Sequence, residues 1–258
     1  MKRWFNNASD PLYLIIVSLY WVFHPKRESG YIYPSGNCWK VRKRDEAYFT
    51  FRCNLHRGSK SAQQHKYERY THEGFCSVSS SDRVVDIGAF LGEFSIPAAR
   101  DAKQVISIEP DPGTYNCLQQ QTEDVDNILV VNELPAEKSK MIQFNTANDP
   151  TESSVFRPDN SDFQGIRLES DRLDNIMNKL GENKIDFLKI DAEGAEPEVL
   201  RGIDQLTVRK IAIDTGEERE GEETTEEVMD ILNRRGYETK VREDKYDDPV
   251  TFARLEND

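Results

Sequence analysis

Apolar residues in this chain fall into short β-branched runs, most of which end in an acid and give way to a polar stretch. Val84-Val85-Asp86-Ile87 is the first run, Val105-Ile106-Ser107-Ile108 the second and Ile128 to Val131 the third. Ile185 to Asp191 is the fourth and Lys210 to Asp214 the fifth. Continuous apolar runs separated by helix-length segments predict parallel strands covered on both faces. A helical stretch around His65 to Phe75 is expected before the first run, and a helix from Ser95 to about Asp101 after it, with Pro97 tolerated near its first turn. Thr224 or Thr225 opens a later helix with Val228, Ile231 and Leu232 on one face, and Gly236 stops it. Tyr237 to Val241 and Pro249 to Leu255 read as a closing antiparallel hairpin across the polar Arg242-to-Asp248 turn.

The first sixty residues follow a different pattern. Asp10-Pro11 is a good helix start, and Leu12 to Phe23 is almost entirely apolar before His24-Pro25 ends the run. Such a helix reaches roughly 20 Å, short of the roughly 30 Å of a bilayer core. Two readings follow: a helix packed on the body, or an interfacial anchor flanked by Lys2, Arg3, Lys26 and Arg27. Tyr31 to Arg52 reads as short strands with turns at Pro34-Ser35-Gly36 and Arg44-Asp45-Glu46. The polar segment Arg57 to Gln64 marks the expected boundary, giving a basic appendage over residues 1–60 and a main domain over 61–258. Asn145 to Ser161, rich in Asn, Asp, Ser, Thr and Pro, reads as a long binding or lid loop in which Ser153 and Ser154 are candidate ligand contacts.

Charge divides the chain at the same place. The net charge is −13, which disfavours nucleic-acid binding, yet residues 1–60 hold 11 basic against 4 acidic side chains. A basic head on an acidic body suits peripheral contact with an anionic membrane face through residues 1–30, on the cytoplasmic side. Cys38, Cys53, Cys76 and Cys117 form no Cys-x-x-Cys pair and read as buried free thiols of a reducing compartment. The four histidines lack metal-ligand spacing, so no metal site is expected. The acidic run Glu217 to Glu223 reads as a solvated loop.

The chemistry gathers around Val84 to Ser95, where a strand ends in Asp86 and runs through Gly88-Ala89-Phe90-Leu91-Gly92 into a helix. That order brings backbone amides and a carboxylate to the carboxyl edge of a sheet, where open α/β folds bind ligands. Gly-x-x-x-Gly lacks the third glycine of a pyrophosphate loop, which argues against a nicotinamide-dependent oxidoreductase. It suits S-adenosyl-L-methionine, a cation with a ribose and no phosphate. Glu109, 21 residues beyond Gly88, stands where a ribose-binding acid is expected, with Pro110 beside it and Asn132 at the next strand end. Lys189, in the middle of a central strand, requires a partner, and Asp86 or Asp191 can supply it. Asp191 and Glu193 then flank the mouth of the site.

Three blocks together resemble the FkbM family of S-adenosylmethionine-dependent methyltransferases: Val85 to Ser95, Ile108-Glu109-Pro110, and Ile185 to Glu196 with its Lys189-Ile190-Asp191-Ala192-Glu193-Gly194-Ala195-Glu196 core. The likeness covers about residues 65–240. It implies a class I, Rossmann-like α/β fold whose seven-stranded sheet has its last strand antiparallel, with the N-terminal helix and hairpin as an appendage. It also implies methyl transfer to oxygen, here to a sugar hydroxyl or uronic acid of a cell-surface or lipid-linked glycan. Asp86, Gly88, Ala89, Phe90, Gly92, Glu109, Pro110, Asn132 and Asp191 become the expected cofactor contacts. Asp191 and Glu193 become the candidate catalytic acids. Phe90 stands where the family commonly has Asn, and Asp214 replaces a frequent strand-end Glu. A methyltransferase-like binding protein without turnover is the rival reading.

Overall fold

The computed structural model describes residues 30–35, 38–43, 45–50, 57–147, 155, 163–217, 219, 221–244 and 247–255. The apolar run Leu12 to Phe23, Cys53, Ser153 and Ser154 lie outside them. No helix among the described residues is long and apolar enough to cross a membrane.

Three short strands, β1 (Gly30–Ser35), β2 (Cys38–Lys43) and β3 (Ala47–Thr50), form an antiparallel sheet, in line with the short strands and two turns expected there. The helix expected around His65 to Phe75 begins earlier. It is α1 (Lys60–Arg69), opened by Ser59, whose hydroxyl accepts from the Ala62 amide at 3.3 Å. Residues 60–64 of the polar stretch expected to mark the boundary therefore open a helix, and beyond Arg69 the chain turns back through a short His72–Cys76 bridge.

The main sheet follows: β4 (Arg83–Ile87), α2 (Ser95–Asp101), β5 (Gln104–Ile108), α3 (Pro112–Thr122) and β6 (Ile128–Val131). A smaller sheet is inserted next, from β7 (Leu134–Pro135), β8 (Lys140–Ala147) and β9 (Phe163–Asp171), in the order β7-β9-β8. The sequence reading missed it. Asn145 to Ala147, read as loop, are ladder residues of β8 opposite Gly165, Gln164 and Phe163. Then come α4 (Leu173–Lys179), β10 (Lys184–Ile190), α5 (Glu196–Arg201), β11 (Thr207–Asp214), α6 (Thr225–Arg234), β12 (Tyr237–Asp244) and β13 (Asp247–Leu255). The closing hairpin is longer than its polar turn suggested. Thr224 precedes α6 without a capping bond from its hydroxyl.

The large sheet runs β12-β13-β11-β10-β4-β5-β6, with β13 antiparallel to both neighbours. This is the seven-stranded arrangement expected. Chain order reverses between β4 and β10, which opens a crevice at their carboxyl ends. Side chains alternate faces. Val85, Ile87, Leu188 and Ile190 pack with Leu173, Ile176, Val199, Val228 and Leu232 on one side. Val84, Phe187 and Ala212 pack with Tyr70, Phe94 and Ala98 on the other. Asp86, Lys189 and Asp214 continue this second face at the carboxyl ends, so α1 lies over a polar rim.

The reading of four free thiols is overturned. Cys38 and Cys117 form a disulfide across 79 residues of sequence, and Cys76 is free and buried. The small sheet lies on α3, where the Phe49 amide donates to Gln121 Oε1 at 2.6 Å and Ser35 Oγ to Gln120 at 3.2 Å. That docking brings the two cysteines together, and nothing in their spacing signals it.

Candidate active site

A cavity enclosing about 870 Å³, open mouth included, lies at the carboxyl edge of β4, β5 and β10. Of the expected residues, Gly88, Ala89, Phe90, Glu109, Pro110, Asp191 and Glu193 line it. Asp86, Gly92 and Asn132 do not. Asp86 lies fully buried beneath, Gly92 turns the chain into α2 at φ +76°, and Asn132 Nδ2 donates to the carbonyls of Glu109 and Pro110.

The loop after β4 uses its amides internally. Gly88 and Ala89 both donate to the Ile108 carbonyl, Phe90 to Glu109 Oε2 at 2.9 Å, and Gly92 to the Ala89 carbonyl. A pyrophosphate would find none of these four free, which agrees with the missing third glycine. Gly88 has φ +67°, and a Cβ there would stand 1.8 Å from the Asp191 carbonyl oxygen, so only glycine fits. Phe90 has φ +51°, in the left-handed region that Asn tolerates better than Phe. Its ring packs against the cluster of Cys38, Phe49, Leu91 and Cys117, with the Arg57 guanidinium 5.6 Å from the ring centre. The departure from Asn thus ties the loop to the N-terminal sheet.

Glu109 is buried and held from both oxygens, by the Phe90 amide and by the Asp111 amide at 3.0 Å. Burial nevertheless pushes its carboxyl up to about 8. A carboxyl at this strand end can accept from the hydroxyls of a ribose.

The β10 side of the cavity is built from paired charges. Lys189 Nζ lies 3.0 Å from Asp86 Oδ1 and 3.5 Å from Asp191 Oδ2, so both expected partners are present. It also donates to the carbonyls of Ile87 at 3.2 Å and Gly88 at 2.8 Å, which ties β10 to the loop. Burial works against the ammonium, but Asp86 and Asp191 more than offset it and leave its pKa raised. Asp191 is half-buried, yet Lys66 at 3.2 Å and Lys189 hold it far below the usual carboxylate range. Glu193 goes the opposite way: burial, reinforced by the Asp191 charge, lifts it well above a normal glutamate. It sits at φ +49° between Ala192 and Gly194, whose amides both donate to Glu196 Oε1. Two acids with pKa values driven apart by their surroundings suit an acid–base division of labour.

Sequence reasoning missed Arg57, Lys66, Phe94, Leu134, Pro135, Phe144 and Val155, all of which line the cavity. Lys66 and Tyr70, one helical turn apart, carried a signal only once α1 was placed. The acidic Glu217–Glu223 loop is less free than expected, because Arg219 donates to the Gly194 carbonyl at 2.8 Å and pairs with Glu198. No cluster of metal-ligating side chains occurs among the described residues.

The sheet order and this edge are those of the class I methyltransferase fold. More narrowly, the Methyltransferase FkbM domain matches residues 86–239, and the chain belongs to that family. Methyltransferase sdnD of Sordaria araneosa is 26% identical over 183 residues, covering 55% of this chain and 69% of its own. The crystal structure of Methyltransferase FkbM from Methylobacillus flagellatus KT superposes with a TM-score of 0.51 at 21% identity, covering 71% of this chain and 46% of that one. Aeropyrum pernix fibrillarin, solved with natively bound S-adenosyl-L-methionine, gives a TM-score of 0.50 at 14% identity over 84% of this chain and 94% of that one. A 78-residue stretch is 37% identical to the AMB antimetabolite synthetase AmbE of Pseudomonas aeruginosa, of which this chain spans 4%. The chain thus spans a small part of that synthetase and under half of the M. flagellatus protein. The family's cofactor is S-adenosyl-L-methionine.

Proposed function

We propose that this chain is an S-adenosyl-L-methionine-dependent O-methyltransferase acting on a neutral hydroxyl, such as that of a sugar in a cell-surface or lipid-linked glycan. The observation that carries this reading is the convergence of Gly88 to Phe90, Glu109, Asp191 and Glu193 on one cavity. The residues fit the cofactor. Glu109 suits the ribose, and the acidic lining suits a sulfonium cation. When bound, the cofactor supplies an electrophilic methyl with its leaving group already built in.

The protein's task is then alignment, exclusion of water and removal of one proton. Alignment alone supplies on the order of 7–11 kcal/mol. Glu193 is the base for the acceptor hydroxyl: it lines the cavity beside Asp191, and its carboxyl, lifted above a normal glutamate, holds a proton more readily than Asp191 does. Asp191 is a fixed anion, too acidic to take a proton but placed to stabilise positive charge on the acceptor oxygen. A uronic acid carboxylate fits less well, because it would meet Asp191 and Glu193 while Lys66 and Arg57 are engaged by Asp191 and Glu93. The basic segment of residues 1–30 is assigned to an anionic membrane face, where lipid-linked acceptors reside.

Calorimetry with S-adenosyl-L-methionine and with NAD, followed by a methyl-transfer assay on simple glycosides, tests the reading. Glu193→Gln should lower turnover about 10²- to 10⁴-fold while cofactor affinity holds. Cofactor binding without turnover on any hydroxyl acceptor would favour the binding-protein alternative, and failure to bind S-adenosyl-L-methionine would end both.

A further inference from the structure

Two groups beside the cavity have no part in the reaction just described: Asp214 at the end of β11 and Tyr70 at the end of α1. Tyr70 is completely buried, and its hydroxyl lies 2.8 Å from Asp191 Oδ2 and 2.8 Å from Asp214 Oδ2. Asp214 is held in turn by Arg69 Nη2 at 2.6 Å. A phenol has one proton to donate, so two carboxylate oxygens compete for it. Asp191 is gripped on one side only. Tyr70, Lys66 at 3.2 Å and Lys189 at 3.5 Å all meet Oδ2, while Oδ1 accepts no hydrogen bond among the described residues.

We propose that Tyr70 is a positioning residue for methyl transfer: backed by Asp214, its hydroxyl clamps Asp191 Oδ2 so that Oδ1 is presented to the acceptor beside Glu193. This inference rests on the methyltransferase reading of the cavity. Lys66 and Lys189 also reach Oδ2, but each does so from a long stem that can follow a rotating carboxylate. The phenol cannot, because its ring is wedged edge-on against Phe94 with centroids 6.0 Å apart. Loss of the hydroxyl frees Asp191 to turn, and small misplacements in a reacting array are expensive in rate. Asp214 has a second effect. Glu193 faces Asp191 and Asp214 as anions, Lys66 as a cation and a Glu196 carboxyl itself lifted to about 8, so the charge on Asp214 helps to hold Glu193 above a normal glutamate.

The test is steady-state kinetics on Tyr70→Phe, which keeps the ring and removes one oxygen. The expected result is a kcat lower by about 10- to 100-fold, with acceptor KM and cofactor Kd within about threefold of wild type. A kcat within twofold of wild type overturns the proposal, and so does a parallel loss of kcat and cofactor affinity. Asp214→Asn gives a second, independent measurement. Arg69 and Tyr70 both donate to Asp214 Oδ2, so an amide oxygen in that place still accepts from both and only the charge is lost. The variant's kcat should stay within about threefold, and the acid limb of the pH–rate profile should move to lower pH as Glu193 loses an anionic neighbour. An unmoved limb counts against the clamp. Wild-type protein that neither binds nor uses S-adenosyl-L-methionine sinks the reading beneath it, whereas active wild type with unaltered variants sinks the clamp alone.

Discussion

The two halves of the cavity are built by different means. On the cofactor side, Glu109 and the loop after β4 are held by backbone groups: the Phe90 and Asp111 amides on the carboxyl, and the Ile108 carbonyl on Gly88 and Ala89. On the acceptor side, geometry depends on side-chain charge, with Lys66, Arg69 and Lys189 facing Asp86, Asp191 and Asp214. Backbone scaffolding depends on chain path and tolerates most side-chain changes. A buried charge array tolerates few, because removing one member leaves another unpaired in low dielectric. The difference suits the proposed division of work, with a constant cofactor on one side and an acceptor to be discriminated on the other.

The harshest way to break this comparison is Lys189→Met, which leaves Asp86 buried without a cation and cuts the bonds to the Ile87 and Gly88 carbonyls. It should cost about 3–5 kcal/mol of stability, read from denaturant unfolding. A cost below about 1 kcal/mol would mean the array is not what holds the acceptor side.

A smaller effect is expected from Glu109→Gln. The Glu109 carboxyl rises from its ordinary 4.5 to about 8 on folding, so the folded state favours the protonated form. Its contribution to stability is present below the unfolded value and is lost as pH rises from there through about 8. Melting temperatures of the unliganded protein should fall over that window, and Glu109→Gln should flatten the fall. Glu196, also lifted to about 8 by burial, and the raised Glu193 and Asp214 supply the part that remains. An undiminished fall in the variant would show that Glu109 is already ionised in the fold.

The mildest probe is Phe90→Asn. It relieves a left-handed backbone worth about 1–2 kcal/mol and gives up the ring contacts with Leu91, Arg57 and the disulfide cluster. The two nearly cancel, so stability should move by less than about 1 kcal/mol, and cofactor affinity by less than about fivefold. A larger loss of affinity would show that the backbone-built half also depends on a side chain.

The same contrast explains how far the chain could be read unaided. Asp86, Gly88, Glu109 and Lys189 were legible because strand ends and tight turns constrain residue type locally. Asp191 and Glu193 were legible as strand-end acids at the mouth of the site, and the family resemblance added their role. Lys66 and Tyr70 were not, because their importance comes from α1 folding over the sheet edge, a long-range event with no local mark. The β7-β9-β8 sheet was hidden by a polar composition that reads as loop. The Cys38–Cys117 pairing was hidden because it depends on where the small sheet docks.

That bond also changes the topology of the chain. Joining residues 79 apart closes a covalent ring that contains α1, β4, the Gly88 turn, β5 and most of α3. In the chain-entropy account, such a closure narrows the unfolded ensemble by on the order of 4 kcal/mol. The backbone-scaffolded half of the site lies inside the ring, together with Lys66 and Tyr70. Asp191, Glu193 and Asp214 lie on the open tail beyond it. One peptide bond cut inside the ring would leave a single covalent molecule; one cut on the tail would leave two.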